Sequence, residues 1–426
     1  MSYFFPFVSL FYRWYFDGFK VREKRSNIYS FLNDSEHSTS LLKDINLYVI
    51  FGITLTSILG VASIAPAFPA ISRALDVPPG QIGYVITVFT IPGIFFTPVL
   101  GVMADRFGRK RILIPALFIF GIAGTACAFA DTFGQLLLFR FLQGFGSAAL
   151  GVLNVTLIGD LYEKNRRATA MGYNAGVLSV GTALYPAIGG ALTVLGWNYP
   201  FFLTLLGIPV GIFAILFLKT SKIKQTGSLG IYFREIAAAL KSRYILGLFA
   251  AMFFTFIILY GGYITYFVIL LDERFGKSAF VIGVIVSGSS IITGIVSSQL
   301  GRLTLLVKER NLVIIASILY LAIFIMIPFV QNIWGFAIPI ILFGVAQGIN
   351  IPNIMNMITS YAVKDYRAAF LSVNWVIMKL GQALGPWLLG IVYLYYGIDG
   401  TFYVTAIIAA LFVLVAVLFI RSEVSE

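Results

Sequence analysis

Long apolar runs separated by short polar stretches dominate the pattern of this chain. Each run has about 20 residues or more, enough to cross a bilayer core as a helix. Twelve can be delimited: 47–72, 81–103, 111–130, 134–159, 168–194, 199–219, 244–271, 279–301, 311–330, 334–358, 368–396 and 400–420. An even number of crossings puts both ends of the chain on one side. Before the first run lies a leader, 1–46, aromatic-rich over Met1–Phe16, basic over Lys20–Arg25 and polar over Asn33–Ser40. A secretory signal would place its cations before the apolar part, so this order reads as a cytoplasmic leader. The longest internal polar stretch, 220–243, is basic, holds an amphipathic segment from Ile231 to Leu240, and divides the runs six and six. The expected organisation is a leader over 1–46, a first bundle over 47–219, a linker over 220–243, a second bundle over 244–420 and a tail over 421–426.

The two sets of six are related. Shifting the first by 200 residues aligns Gly83 with Gly283, Gly101 with Gly301, Gly181 with Gly381 and Gly190 with Gly390. The same shift aligns Pro186 with Pro386, Asn174 with Asn374 and Phe202 with Phe402, while Gln143-Gly144 meets Gln347-Gly348 at a shift of 204. Chance apolar similarity does not hold glycines, prolines and amides in register. The fold class expected is an all-α integral membrane protein: twelve transmembrane helices in two pseudo-symmetric six-helix bundles. Repeats of this kind place a binding site between the halves near the midplane, and rocking one half against the other gives alternating access.

Composition agrees. The chain is 59% hydrophobic and 11% charged, with mean hydropathy +0.93, against roughly 25% charged residues in soluble domains. The net charge of +12 is not a nucleic-acid face. Of the 30 Lys and Arg, 25 fall on the side holding the termini; Arg73, Arg274 and Lys277 fall on the other, and Arg140 and Lys379 lie inside runs. This asymmetry makes the termini side cytoplasmic and the bilayer the principal partner. One cysteine, Cys127, and one histidine, His37, leave no intrachain disulfide and no metal site. No cofactor is expected, and no phosphate-binding loop of the G-x-x-x-x-G-K-[ST] type occurs.

Polar residues inside the runs are the candidate chemistry. A cation deep in a bilayer is costly and marks function by default. Arg140 serves either the cavity or, through backbone carbonyls, helix packing. Lys379 has no charged repeat partner, since Ser179 stands at the equivalent place. It serves either a central cavity or a structural bond. Gln143, Gln347, Asn350, Asn353 and Asn374 either line a cavity or tie helices together, and Tyr263 belongs to a stripe with Tyr260 and Tyr266. All 18 acids fall in loops, tails or run ends. Two interior cations without an interior anion make a cavity positive, which disfavours lipophilic cations and favours anionic or neutral amphipathic cargo.

The most distinctive stretch is Gly101-Val102-Met103-Ala104-Asp105-Arg106-Phe107-Gly108-Arg109-Lys110-Arg111, between the second and third runs. With it the chain resembles the major facilitator superfamily, and its twelve-helix drug:proton antiporter branch in particular, over about residues 47–420. The resemblance continues in Arg140-Phe141-Leu142-Gln143-Gly144-Phe145-Gly146. It also includes Gly172, Gly181 and Tyr185-Pro186-Ala187-Ile188-Gly189-Gly190, where the usual Gly-Pro is Tyr185-Pro186; Gly385-Pro386 stands at the equivalent place in the second half. The resemblance implies a secondary transporter rather than an enzyme: a monomeric efflux antiporter of the cell membrane, moving small amphipathic organic molecules against protons. It also implies that Gly101, Asp105, Arg106, Gly108 and Arg109 form a latch. In it Asp105 meets the start of helix 11 near Arg367–Phe370, and Arg109 pairs with Asp160, in the outward-open state. Gly181, Pro186, Gly189, Gly190, Gly385 and Pro386 are implied in gating. The alternative reading is an ion- or proton-coupled symporter importing an organic anion, suggested by Arg140 and Lys379.

Overall fold

A computed structural model describes residues 41–219, 242–361 and 367–420. The linker segment Ile231–Leu240, the tail and nearly all of the leader lie outside the described residues. Of the unit Met1–Asp44, the described part is one turn, closed by Asp44 N donating to Leu41 O at 3.0 Å.

From Ile45 onward the described chain is helical. Its helices are α1 Ile45–Ala74, α2 Pro79–Phe107, α3 Arg109–Phe129, α4 Phe133–Leu161, α5 Lys164–Leu195 and α6 Tyr199–Phe217. The second set is α7 Arg243–Glu273, α8 Ala279–Ser298, α9 Glu309–Phe329, α10 Ile333–Tyr361, and one long element, Arg367–Phe419. That element is two helices. Gly397 breaks it with φ 65° and ψ −169°, so α11 covers 367–396 and α12 covers 398–419. Eleven elements by continuity are therefore twelve crossings.

Helix starts carry side-chain caps where the sequence supplies them. Thr132 accepts from Gln135 N before α4, and Ser242 and Ser278 do the same before α7 and α8. Gly108 separates α2 from α3 with φ 102°, a conformation that requires glycine. Interior prolines stand in α2 at Pro92 and Pro98, a placement that membrane-spanning helices tolerate more readily than soluble ones. In α7 the ladder widens to a π-helix over Ile258–Phe267, and Thr265 Oγ1 donates to Tyr260 O at 2.7 Å. Large apolar side chains on the outside, among them Phe95, Ile122, Leu216 and Ile291, form the surface that lipid covers.

The repeat is also a contact map. An ideal Cβ on Gly283 of α8 would overlap Pro186 O of α5, and one on Gly83 of α2 would lie 2.8 Å from Pro386 O of α11. These pairs are mates under the 200-residue shift with the halves exchanged. One residue out of that register, Gly190 abuts Ala279 O, and Gly390 abuts Gly80 O. Small residues let the two backbones meet, as expected when lipid offers no hydrophobic drive to associate.

Candidate functional site

Contacts between the halves concentrate on the face carrying Arg73, opposite the basic Arg109 face. There Arg73 Nη1 meets Asp272 Oδ2 at 2.6 Å. Tyr266 Oη donates to Gly80 O at 3.3 Å, Thr87 Oγ1 donates to Ala383 O at 2.7 Å, and Ala187 N donates to Ser287 Oγ at 3.1 Å. With the glycine contacts above, they seal the Arg73 face. Toward the basic face α5 is exposed at Gly172, Ala175, Gly176, Leu178, Ser179 and Val180. Space for a Cβ stays open at Gly172 and Gly176. Contacts between the halves thus close the Arg73 face, and the exposed stretch of α5 toward the basic face reads as the wall of a cleft opening that way.

The loop motif sits at the rim of this opening. Arg109 holds two carboxylates: Nη2 to Asp105 Oδ1 at 2.6 Å and Nε to Asp160 Oδ2 at 2.8 Å. All three belong to the first half. Arg106 lies over the Phe107 ring at 5.9 Å, and a Cβ at Gly101 would meet Val152 of α4 at 3.8 Å. The expected contact of Asp105 with the start of α11 involves side chains at 367–369, which lie outside the described residues. Of the glycines and prolines expected in gating, Gly190, Pro186 and Pro386 meet the other half as above, while Gly181, Gly189 and Gly385 pack within their own half. A Cβ at Gly189 would overlap Ser63 O, one at Gly385 would lie 2.8 Å from Ile257 O, and one at Gly181 would meet Ile58 at 3.0 Å.

The interior cations part company. Arg140 is 0% exposed and bridges α4 to α2, with Nε donating to Val85 O at 3.1 Å and Nη1 to Gln143 Oε1 at 2.7 Å. Its guanidinium lies 4.3 Å from the centroid of the Phe89 ring, a cation–π contact. Arg140 is seven residues into α4, about 10 Å from that helix start at 1.5 Å per residue, so its charge lies nearer the Arg73 face than the middle. Lys379 sits instead between α11 and α2. Its Cδ lies 3.4 Å from where a Cβ on Gly93 would be, and its Nζ donates to Gln382 Oε1 at 3.3 Å. It is partly exposed. One turn toward the basic face, Trp375 reaches across the halves to Gly151 of α4, 3.8 Å from a Cβ there. One turn the other way is the Thr87–Ala383 hydrogen bond. Lys379 thus stands at the blind end of the cleft.

The amides mostly tie helices together. Asn174 of α5 donates to Asn154 Oδ1 at 2.8 Å and accepts from Thr54 Oγ1. Asn154 also donates to Thr54 Oγ1 at 2.6 Å and Ile50 O at 3.1 Å, so α1, α4 and α5 are joined. Sequence reasoning missed Asn154, although a buried amide in an apolar run was a readable signal. In the second half Asn350 donates to Thr255 Oγ1 at 2.7 Å and Asn353 to Glu309 O at 2.8 Å. Asn374 donates to Met355 Sδ at 3.0 Å and Met378 Sδ at 3.3 Å. Gln347 is buried, and both its amide atoms lack a partner. Tyr263 stacks on Phe343 at 3.9 Å and on Phe267 at 5.1 Å, inside an aromatic core. Trp375, four residues before Lys379, is the neighbour that sequence reasoning passed over; the i−4 spacing would have shown it.

A duplicated membrane bundle with a cleft between its halves is the architecture of a secondary transporter. The chain belongs to the Major Facilitator Superfamily, whose model matches residues 50–274 and 255–426, and it is a membrane transporter, not an enzyme. It is 32% identical over 163 residues to the bacillibactin exporter of Bacillus subtilis (strain 168), covering 37% of this chain and 40% of that one. It is 26% identical over 275 residues to multidrug resistance protein 2 of the same organism, covering 63% and 67%. The chain thus spans from 40% to about two thirds of these relatives. A solved bacterial homolog of the human lysosomal transporter Spinster, inward-facing and unoccupied, superposes with TM-score 0.73 at 19% identity, covering 90% of this chain and 100% of that one.

Proposed function

We propose that this transporter is an exporter of small amphipathic organic molecules in the cell membrane, working by alternating access against the proton gradient. The observation that carries the reading is the asymmetry of the cleft: one face sealed by paired glycine contacts, the other open. A binding point exposed to one side at a time is what vectorial transport needs. The halves 47–219 and 244–420 are the moving bodies, 220–243 is the linker between them, and the protein acts as a monomer with both termini cytoplasmic. The cation asymmetry supports that orientation, and it makes the open face cytoplasmic, where an exporter loads.

Export is supported by the names of the curated relatives and by the helix 5 sequence Tyr185-Pro186-Ala187-Ile188-Gly189-Gly190, of which Pro186 and Gly190 pack against the other half. Asp105, Arg109 and Asp160 act as the latch, closing the cytoplasmic face when Asp105 leaves Arg109 for the second half. Proteoliposomes holding a pH-sensitive dye test the reading. Cargo loaded on the cytoplasmic side should move to the opposite side, with protons moving the other way. Movement in the same direction as protons would favour the symporter reading instead, which Lys379 suggests.

A further inference from the structure

We infer that the cargo is an aromatic organic anion, and that Lys379 holds its negative charge while Trp375 carries its ring. This deepens the export reading above and rests on it.

Four observations carry the inference. First, among the described residues, acids in the spanning helices stand at helix ends: Asp105, Asp160 and Glu309 at the basic rim, and Asp272, Glu273 and Asp399 at the opposite one. Nothing acidic lies at the depth of Lys379 to neutralise it. Second, Arg140 is 0% exposed, held by Val85 O, Gln143 and the Phe89 ring with Nη2 left unpartnered, so burial keeps it from a ligand entering the cleft. Third, an ammonium has three donors, and Lys379 has one neutral partner, Gln382, among the described residues. A membrane-embedded cation with so little compensation is completed by a ligand. Fourth, the surroundings have a shape. The Lys379 stem runs along Gly93, with its Cδ 3.4 Å from where a Cβ there would be, so the stem lies at the α2–α11 seam. Trp375 lies one helical turn below on the same helix and spans the cleft to Gly151. A planar body entering from the basic face meets the indole first. It then presents its charged end to Lys379 beneath the sealed Thr87–Ala383 layer.

The chemistry therefore selects against lipophilic cations, which meet an unopposed ammonium at the blind end. One anionic group is matched, because one cation is available; Gln382 orients the ammonium and does not add charge.

The test uses two xanthene dyes of similar ring system and opposite charge, fluorescein and rhodamine 6G, with the purified full chain in nanodiscs and in proteoliposomes. Fluorescence anisotropy should show fluorescein binding at least tenfold more tightly than rhodamine 6G. Lys379→Gln should weaken fluorescein binding at least tenfold, and Lys379→Arg should restore most of it. Trp375→Leu should weaken binding of both dyes, since the ring platform serves either charge. Tighter binding of rhodamine 6G, no fluorescein binding, or fluorescein binding unchanged in Lys379→Gln would each overturn the inference. If Lys379→Gln fails to fold, Lys379→Arg and the dye preference of the unaltered protein still decide. Fluorescein that binds as expected but does not cross in the export direction would leave the anion site standing and refute export.

Discussion

Arg140 and Lys379 are both cations set within membrane-spanning helices, and their surroundings differ in every respect that matters for chemistry. Arg140 has a carbonyl, an amide oxygen and an aromatic face around it, and none of its surface is exposed. Lys379 has one amide oxygen and remains partly exposed. The planar guanidinium of arginine can satisfy several acceptors at fixed angles and stack on a ring, whereas lysine offers a compact charge on a flexible stem. Arg140 brackets α2 and α4, and Lys379 lies at the α2–α11 seam, the place proposed above for a ligand's charge. Burial separates the two more than saturation does: Arg140 keeps one unpartnered nitrogen, Nη2, in a place with no exposure, whereas Lys379 is partly exposed.

The second half sharpens the point. At the place equivalent to Arg140 it has Gly344, where a Cβ would lie 2.7 Å from Ser289 O of α8. Its Gln347 corresponds to Gln143 but has lost the arginine, and both amide atoms are unpartnered. One half thus spends this position on a polar bracket, the other on close helix packing.

Arg140→Ala should have the largest effect on stability. It strips charge-assisted hydrogen bonds worth about 1.5–3 kcal/mol each and opens a cavity, so thermal unfolding of the purified protein should show a loss of about 3 kcal/mol or more. Lys379→Ala should lose less than about 1 kcal/mol in the same assay; equal losses would erase the distinction. Next in size is the pair of glutamines. Gln143→Leu leaves the buried Arg140 short of a partner and should cost about 2 kcal/mol. Gln347→Leu removes an amide with no partner and should be neutral or stabilising. A large loss at Gln347 would mean that the two halves use the position alike. The smallest effect is expected for Arg73→Gln at the sealed face. Arg73 is 65% exposed, and a solvent-facing ion pair contributes roughly 0–1 kcal/mol. The glycine seal, not this pair, should keep the face closed, as cysteine labelling across it would report.

Much of the fold was legible from residue spacing. The 200-residue shift that aligned Gly83 with Gly283 and Pro186 with Pro386 also identified pairs that touch across the halves, because equivalent residues occupy equivalent contacts. The twelve crossings were legible even where the helix runs on, since Gly397 breaks it without a polar loop. The Arg109–Asp160 pair was expected with the basic face closed, and it is formed here with that face open. The roles of the interior polar residues were not legible. Spacing tells which residues share a helix face, but not which neighbouring helix that face meets. Asn350 and Asn353 share a face by i, i+3 spacing, yet one meets Thr255 of α7 and the other Glu309 O of α9. Arg140 and Lys379 looked alike for the same reason, since depth and partners are supplied by other helices.

The account rests on Lys379 lining a cleft that opens to the basic face while Arg140 is sealed away from it. The direct test replaces Cys127 by Ala, introduces Lys379→Cys and Arg140→Cys singly, and measures labelling by a charged, membrane-impermeant methanethiosulfonate in right-side-out and inside-out vesicles. The cysteine at 379 should label from the cytoplasmic side, at least tenfold faster than from the other, and an aromatic anion should slow it. The cysteine at 140 should stay unlabelled from both sides. Rapid labelling at 140, or labelling at 379 from neither side, would contradict the account.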